Sequence, residues 1–216
     1  MKIPSDWTFE SVEVATAFDR HVRSQLPWYD LATGMVAHIA RHYIPHGGTV
    51  LDIGASTGNI GNAIKAAVDT RHAEFIPIEA SKEMAAIYRG PSPERLLIED
   101  CTTLDLPEYD VAVCFLLLMF IPVERRINFL KNLRAKRKPG GAIIIFDKCA
   151  NPKGYIGTVM WRLALAGKVA MGVDPSDIIS KELSLMGTQR PLMESETVDM
   201  TKVFQFGSFA GWVIDE

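Results

Sequence analysis

The chain is short of cysteine, and the cysteines it has are placed where they can do little together. Cys101, Cys114 and Cys149 are odd in number and far apart. That excludes a disulfide framework and a Cys-based metal cluster, and it points to reduced thiols in a cytoplasmic protein. Long apolar runs are also missing. The longest uncharged stretch, Val111 to Pro122, is too short to cross a bilayer and reads as a buried strand. The oily segment 155–173 is interrupted by Arg162 and Lys168. The opening Met-Lys-Ile-Pro-Ser-Asp-Trp has no apolar signal region. Nor is there a surplus of positive charge. Lys and Arg number 23 against 26 Asp and Glu, a net charge of −3, so nothing global favours nucleic acid or an anionic membrane. Repeats and low-complexity linkers are absent, and 216 residues suit one domain with a sizeable core.

What is present is an alternation of two hydrophobic periods. Helical spacing occupies residues 10–24 and 30–43, separated by Pro27-Trp28-Tyr29. The pattern then predicts strand 49–53, helix 59–68, strand 74–79, helix 82–89, strand 95–99, strand 110–116, helix 123–135 and strand 141–147. Pro122 opens one helix, and Pro139-Gly140-Gly141 closes it before the next strand. Helices are expected over 152–167 and 175–187, and two final strands join at Gly207-Ser208. Such βα alternation implies a parallel sheet covered on both faces, an α/β doubly wound fold. The expected organisation is one domain over 1–216: a helical cover 1–45, a nucleotide-binding core 46–150, a helical cap 151–200 and final strands 201–216.

The most informative stretch is Thr49-Val-Leu-Asp-Ile-Gly-Ala-Ser-Thr-Gly-Asn-Ile-Gly61. A strand ending near Asp52 turns sharply into a helix, with bare backbone at Gly54 and Gly58 where a ligand can press close. The Gly-x-x-x-Gly spacing differs from the Gly-x-Gly-x-x-Gly that packs a pyrophosphate against a helix start. A second strand ends in Glu79, twenty-one residues beyond Gly58. A carboxylate there can accept hydrogen bonds from both hydroxyls of a ribose. Ser81 follows as a helix N-cap with Glu83 in the first turn. A third apolar run ends in Glu99-Asp100-Cys101.

This order of acidic-tipped strands resembles the class I S-adenosylmethionine (SAM) methyltransferases, with Asp52-Ile53-Gly54-Ala55-Ser56-Thr57-Gly58 as their first motif. Over nearly its full length the chain is similar to the carboxy-S-adenosylmethionine synthase family, which makes a carboxylated SAM used on the wobble uridine of transfer RNA. Asp6-Trp7-Thr8-Phe9, the stretch from Phe18 to Pro27-Trp28-Tyr29, the first motif with its serine, and Phe204-Gln205-Phe206-Gly207-Ser208 carry the likeness. The resemblance implies a Rossmann-like fold with N-terminal helices and a C-terminal antiparallel hairpin. It implies SAM or carboxy-SAM as cofactor, and a homodimer. Gly54 and Gly58 would border the methionine and ribose, with Asp52, Ala55 and Ser56 beside them. Glu79, Ala80 and Ser81 would hold the ribose, Asp100 and Cys101 the adenine, and Phe115 and Tyr29 would lie near the sulfonium. The family grips a carboxylate with an arginine in its helical cap, where this chain has Leu183 within Ser180-Lys181-Glu182-Leu183-Ser184. The segment 185–201 is also shorter than the family's, and Phe115 replaces a polar Asn.

Other features carry weaker chemistry. An aromatic face attracts a sulfonium, so Trp28 and Tyr29 are either a lid or an anchor for the first helices. Arg23, Arg162, Lys181 and Arg190 are the cations available to hold an anionic substrate, though each is also an ordinary surface charge. His38, His42 and His46 recur every four residues, but Pro45 breaks their helix and no carboxylate lies between them, so no metal is expected. Seven basic residues between Arg125 and Lys138 read as a solvated face and not a nucleic-acid stripe. Asn151-Pro152-Lys153-Gly154-Tyr155 only faintly matches a base-gripping motif and follows the wrong strand, so nucleic acid is disfavoured as direct substrate. The reading is a SAM-dependent group-transfer enzyme, foremost a methyltransferase acting on a small molecule. The alternatives are carboxy-SAM synthesis from SAM and prephenate, or a SAM-binding protein without catalysis. No catalytic base stands out, since transfer from a sulfonium needs mainly positioning and exclusion of water.

Overall fold

The computed structural model describes residues 3–216, so the first two residues of the expected cover lie outside the described residues. Two helices come first. α1 (Val12–Gln25) starts where the Ser11 hydroxyl accepts the Val14 N–H, and α2 (Tyr29–Tyr43) follows the Pro27 break. Strand β1 (Thr49–Ile53) leads into α3 (Asn59–Thr70), then β2 (Glu74–Ile78) and the short α4 (Lys82–Ala85). β3 (Tyr109–Phe115), α5 (Val123–Lys136) and β4 (Arg137–Lys148) complete the parallel part. α6 (Tyr155–Ala170), α7 (Pro175–Ser184) and α8 (Glu194–Thr197) precede the hairpin of β5 (Thr201–Phe206) and β6 (Phe209–Ile214).

The six strands lie in the order β2-β1-β3-β4-β6-β5, with β6 antiparallel between β4 and β5. Alternating side chains divide the core between two faces, as the period of two requires. Leu51, Ala112, Cys114, Ile143 and Ile145 meet Phe129 and Leu133 of α5 on one face. Val50, Val111, Val113, Ile144 and Phe146 meet Val36 of α2 and Ile60 and Ile64 of α3 on the other. Each Val or Ile buried this way contributes ~1.5–3 kcal/mol. Both faces are covered, so the sheet is doubly wound. The chain leaves β1 toward β2 on one side and finds β3 on the other. That reversal leaves a crevice at the carboxyl ends of β1 and β3, where open α/β sheets bind ligands.

Several expected elements differ. Residues 95–99 do not form a strand. Leu97 makes one isolated bridge to Ile78, its N–H donating to the Pro77 carbonyl at 2.9 Å. Glu79 N–H returns the bond to the Leu97 carbonyl at 2.9 Å, but Pro77 has no N–H for the Arg95 carbonyl and Pro93 opens a 3-10 turn just before, so pairing cannot extend toward the amino end. The helix expected over 82–89 stops at Ala85. β4 begins at Arg137, four residues before the expected 141, and its pairing with β3 is irregular between Tyr109 and Val111. α6 starts at Tyr155 because Gly154 takes a positive φ of 75° ahead of it. α7 runs only to Ser184, with Asp174 capping Ser176 N–H at 2.7 Å and Pro175 in its first turn.

The basic run is not simply a solvated face. Arg126 is fully buried, its Nε donating to Ile121 O at 2.9 Å and its Nη2 to Arg190 O at 2.6 Å. Arg134, Lys136 and Lys138 pair with Asp199, Asp105 and Asp110. The histidines also separate: His38 packs on His42, whereas His46 packs on His72. No helix among the described residues is long and apolar enough to cross a membrane.

Candidate active site

A cavity of about 400 Å³ opens at the carboxyl ends of β1 and β3. Its floor is the turn after β1. Gly54 has φ +78°, and its N–H and that of Ala55 donate to Ile78 O at 2.8 and 2.9 Å. A side chain at Gly54 would bring its Cβ to 3.0 Å from Leu117. Gly58 is more constrained: at φ +93° it caps α3, and a Cβ there would come 2.3 Å from Gly90 N. This glycine shapes the turn without lining the cavity. Ser56 sits at φ +52°, unusual for a residue with a side chain, and its buried Oγ has no partner. A similar left-handed residue, Leu116 at φ +56°, follows β3 on the opposite wall. Such conformations cost energy and concentrate at ligand sites.

Glu79 stands at the tip of β2 between these walls. Its Oε2 accepts Ser56 N–H at 2.8 Å and its Oε1 accepts Ser81 N–H at 2.9 Å. Burial pushes its carboxyl upward, while the N–H groups of Ser81, Ser56 and Ala80 pull the other way. Each oxygen keeps a lone pair for a hydroxyl of a bound molecule. Asp52 lies beneath the turn, 1% exposed, and does not line the cavity. Burial raises it to about 7, the Gly61 N–H opposes this, and Glu79 adds to it. Asp100 lines the rim with Oδ1 accepting Thr102 N–H and Oγ–H, both at 2.8 Å, and Arg125 3.6 Å from Oδ2. Cys101 lines the wall beside it, its thiol pushed by burial to about 12 and therefore protonated.

Of the twelve residues expected around a cofactor, Tyr29, Gly54, Ala55, Ser56, Glu79, Ala80, Ser81, Asp100, Cys101 and Phe115 line this one cavity. Asp52 and Gly58 support it from below. Tyr29 meets Phe115 edge-on at 5.5 Å, whereas Trp28 turns away onto Phe204 and Phe209 and anchors α2 to the hairpin. Of the expected substrate cations, Arg23, Arg162 and Arg190 are not brought in, and Lys181 is buried behind Trp7. Arg23 lies behind Tyr29, 5.1 Å from its ring, held by Asp30 and Asn59. Arg162 and Arg190 are exposed on the cap, and Leu183 is 56% exposed on α7. The cation that does line the cavity is Arg125.

Two contributors escape sequence reasoning. The N-terminal segment lays Trp7, Thr8, Phe9 and Glu10 across the cavity. It is pinned by Trp7 N–H to Ser184 O at 2.9 Å, Ser81 Oγ to Phe9 O at 2.7 Å, and Phe9 edge-on to Phe120 at 5.0 Å. Asp19 of α1 accepts from Thr57 Oγ1 at 2.6 Å and Asn59 Nδ2 at 2.7 Å, tying the first helix to the glycine turn. A lone acid on an otherwise ordinary amphipathic helix gives no sequence signal for that role.

A family pattern described as a methyltransferase domain matches residues 50–141. The chain is 26% identical over 97% of its length, and 92% of the relative's, to carboxy-S-adenosyl-L-methionine synthase of Staphylococcus epidermidis. It is also 26% identical to the protein of that name from Shewanella denitrificans, over 86% of this chain and 79% of that one. Among solved structures it resembles the plantazolicin methyltransferase BpumL in complex with SAH, with TM-score 0.61 and 15% identity over 94% of this chain and 89% of that one. A TehB-like SAM-dependent methyltransferase from Corynebacterium glutamicum is similar at TM-score 0.53 and 15% identity, over 94% and 98%.

Proposed function

We propose that this chain, which has the class I SAM-dependent methyltransferase fold and stands close to the carboxy-SAM synthases, transfers the SAM methyl group to a small molecule. The observation that carries the reading is the cavity between β1 and β3, with a carboxylate, a bare turn and an unpartnered hydroxyl converging on it. These groups fit the cofactor. Glu79 would hold the ribose hydroxyls, the Gly54–Ser56 turn and its free Ser56 Oγ the amino-acid portion, and Asp100 the adenine. Tyr29 and Phe115 would offer ring faces to the sulfonium. When bound, SAM supplies a methyl carbon already activated by positive sulfur. The protein's part is to orient it and exclude water, which the N-terminal segment over the cavity serves. The chain would act in the cytoplasm, as one unit with residues 151–200 as cap, and as a homodimer.

A second reading, carboxy-SAM synthesis, is favoured by the near full-length similarity to proteins of that name. Against it stands Leu183, which is apolar, exposed and away from the cavity. Mass spectrometry of the nucleoside released from heat-denatured protein separates the two. SAM or S-adenosylhomocysteine (SAH) is expected. Carboxy-SAM would transfer the preference to the second reading. If no nucleoside co-purifies and calorimetry detects neither SAM nor SAH at millimolar level, both readings fail.

A further inference from the structure

Behind the cavity wall formed by Trp7 and Thr188 lies a cluster that the cofactor reading does not use. Lys148 ends β4, at the carboxyl edge of the sheet where ligands bind, and its Nζ donates to Gln189 Oε1 at 2.5 Å. Lys168 of α6 is 14% exposed in its side chain and pairs with Glu182 of α7 at 3.0 Å. Lys181, also on α7, is 8% exposed and lays its Nζ against the Trp7 ring. Trp7 in turn stacks on His21 of α1 at 5.6 Å. Among the described residues the three lysines share the field of one paired carboxylate, Glu182, which bonds Lys168, and the nearby Asp147 already accepts from the backbone N–H groups of Leu118, Met119 and Lys148.

Charging all three lysines here is unfavourable unless something of opposite sign joins them. Two further atoms at the cluster, the buried Nε1 of Trp7 and Nε2 of His21, have no hydrogen-bond partner. An indole N–H is a donor only, so it too calls for an oxygen. We propose that Lys148, Lys168 and Lys181 form the receptor for an anionic oxygen group, a carboxylate or a phosphate, on the methyl acceptor. This rests on the methyl-transfer reading and names its substrate class. Trp7 belongs to both the cavity and the cluster, so an acceptor anchored here would lay its apolar body along the aromatic wall of Trp7, Phe9 and Phe120.

The titration of the cluster supports this. Burial first, and then the charge of Lys168, lower Lys181 to about 5, with Glu182 opposing. Burial likewise lowers Lys148, which faces Glu182, Lys168 and Asp147. His21, lowered to about 4 by burial and by Lys181 and Lys168, stays neutral. Lys181 is then uncharged at pH 7 in the free protein, and an arriving anion raises its affinity for a proton. Anion binding should take up protons from buffer.

The test uses the full chain saturated with SAH. Calorimetric titrations with sodium benzoate and with inorganic phosphate, each in two buffers of different ionisation enthalpy, measure affinity and proton uptake; benzamide is the uncharged control. Benzoate or phosphate should bind with measurable proton uptake at pH 7, and whichever binds identifies the group. Its affinity should fall at least tenfold in Lys181→Met and Lys148→Met and less than threefold in Lys181→Arg, with SAH affinity unchanged within twofold. The proton uptake is read on the unaltered protein, so it does not depend on a variant folding. The proposal is overturned if neither anion binds more tightly than benzamide while SAH still binds, or if Lys181→Met binds the anion unchanged. Failure of SAH itself to bind would instead overturn the methyl-transfer reading, and this one with it.

Discussion

Glu79→Gln isolates the group on which the cofactor reading depends most. In the native site both carboxylate oxygens accept, one from Ser56 N–H and one from Ser81 N–H, at 2.8 and 2.9 Å. The amide keeps the shape but turns one oxygen into a donor that faces a donor. It also removes the charge from any bond to a ribose hydroxyl. Hydrogen bonds to charged groups contribute ~1.5–3 kcal/mol and neutral ones ~0.5–1.5 kcal/mol. The loss should be about 2 kcal/mol of cofactor binding, or a ~30-fold weaker SAH affinity at 1.36 kcal/mol per tenfold. Calorimetric titration with SAH reads it directly. The pH dependence adds a second signature. Burial raises the Glu79 carboxyl, so SAH affinity in the unaltered protein should decline with falling pH before an exposed glutamate would titrate. The variant should lack that limb. The stability term has the opposite sign: a raised native pKa stabilises the fold at low pH and that contribution is lost as pH rises through it. SAH affinity within twofold of the unaltered protein, with the acid limb intact, would refute the placement of the ribose at Glu79.

Gly58→Ala should lower the melting temperature and weaken SAH binding, because φ +93° and a Cβ 2.3 Å from Gly90 N leave no room; a melting temperature unchanged by calorimetry would contradict the turn geometry. Asp52, fully buried and raised to about 7, stabilises least when ionised, so its cost grows as pH rises from about 4 to about 7. Asp52→Asn should therefore gain stability over the native chain at pH 8, on the order of 3 kcal/mol, and little at pH 4; denaturant melts at the two pH values decide it. Arg126→Met leaves the carbonyls of Ile121 and Arg190 without their buried donor, and should cost about 3 kcal/mol in chemical denaturation, with an effect below 1 kcal/mol counting against the network.

Much of the architecture is legible in local chemistry. The short apolar runs at 49–53 and 110–116, the break at Pro27 and the turn at Gly207-Ser208 each act over a few residues, and each stands within a residue of where the pattern puts it. The pattern fails where a distant partner decides. Residues 95–99 have strand composition, but a strand needs a ladder, and Pro77 of β2 has no N–H to carry it back to Arg95. The same division runs through the site. Gly54, Glu79 and Asp100 are visible because bare turns and acids that end short apolar runs are local signals. Trp7, Asp19 and Leu116 are not, since their roles come from elements that lie far from the glycine turn in sequence and touch it only when folded.

The sequence by itself therefore determined the alternation of strands and helices, the glycine turn and the acidic tips. Tertiary structure alone decided which cations face the cavity. Arg23, Arg162 and Arg190 carry the same charge as Arg125, and only Arg125 lines the cavity. A charge acquires a role only from the direction its element gives it and from the water it loses there. Both are set by packing between helices and sheet, which no local pattern records.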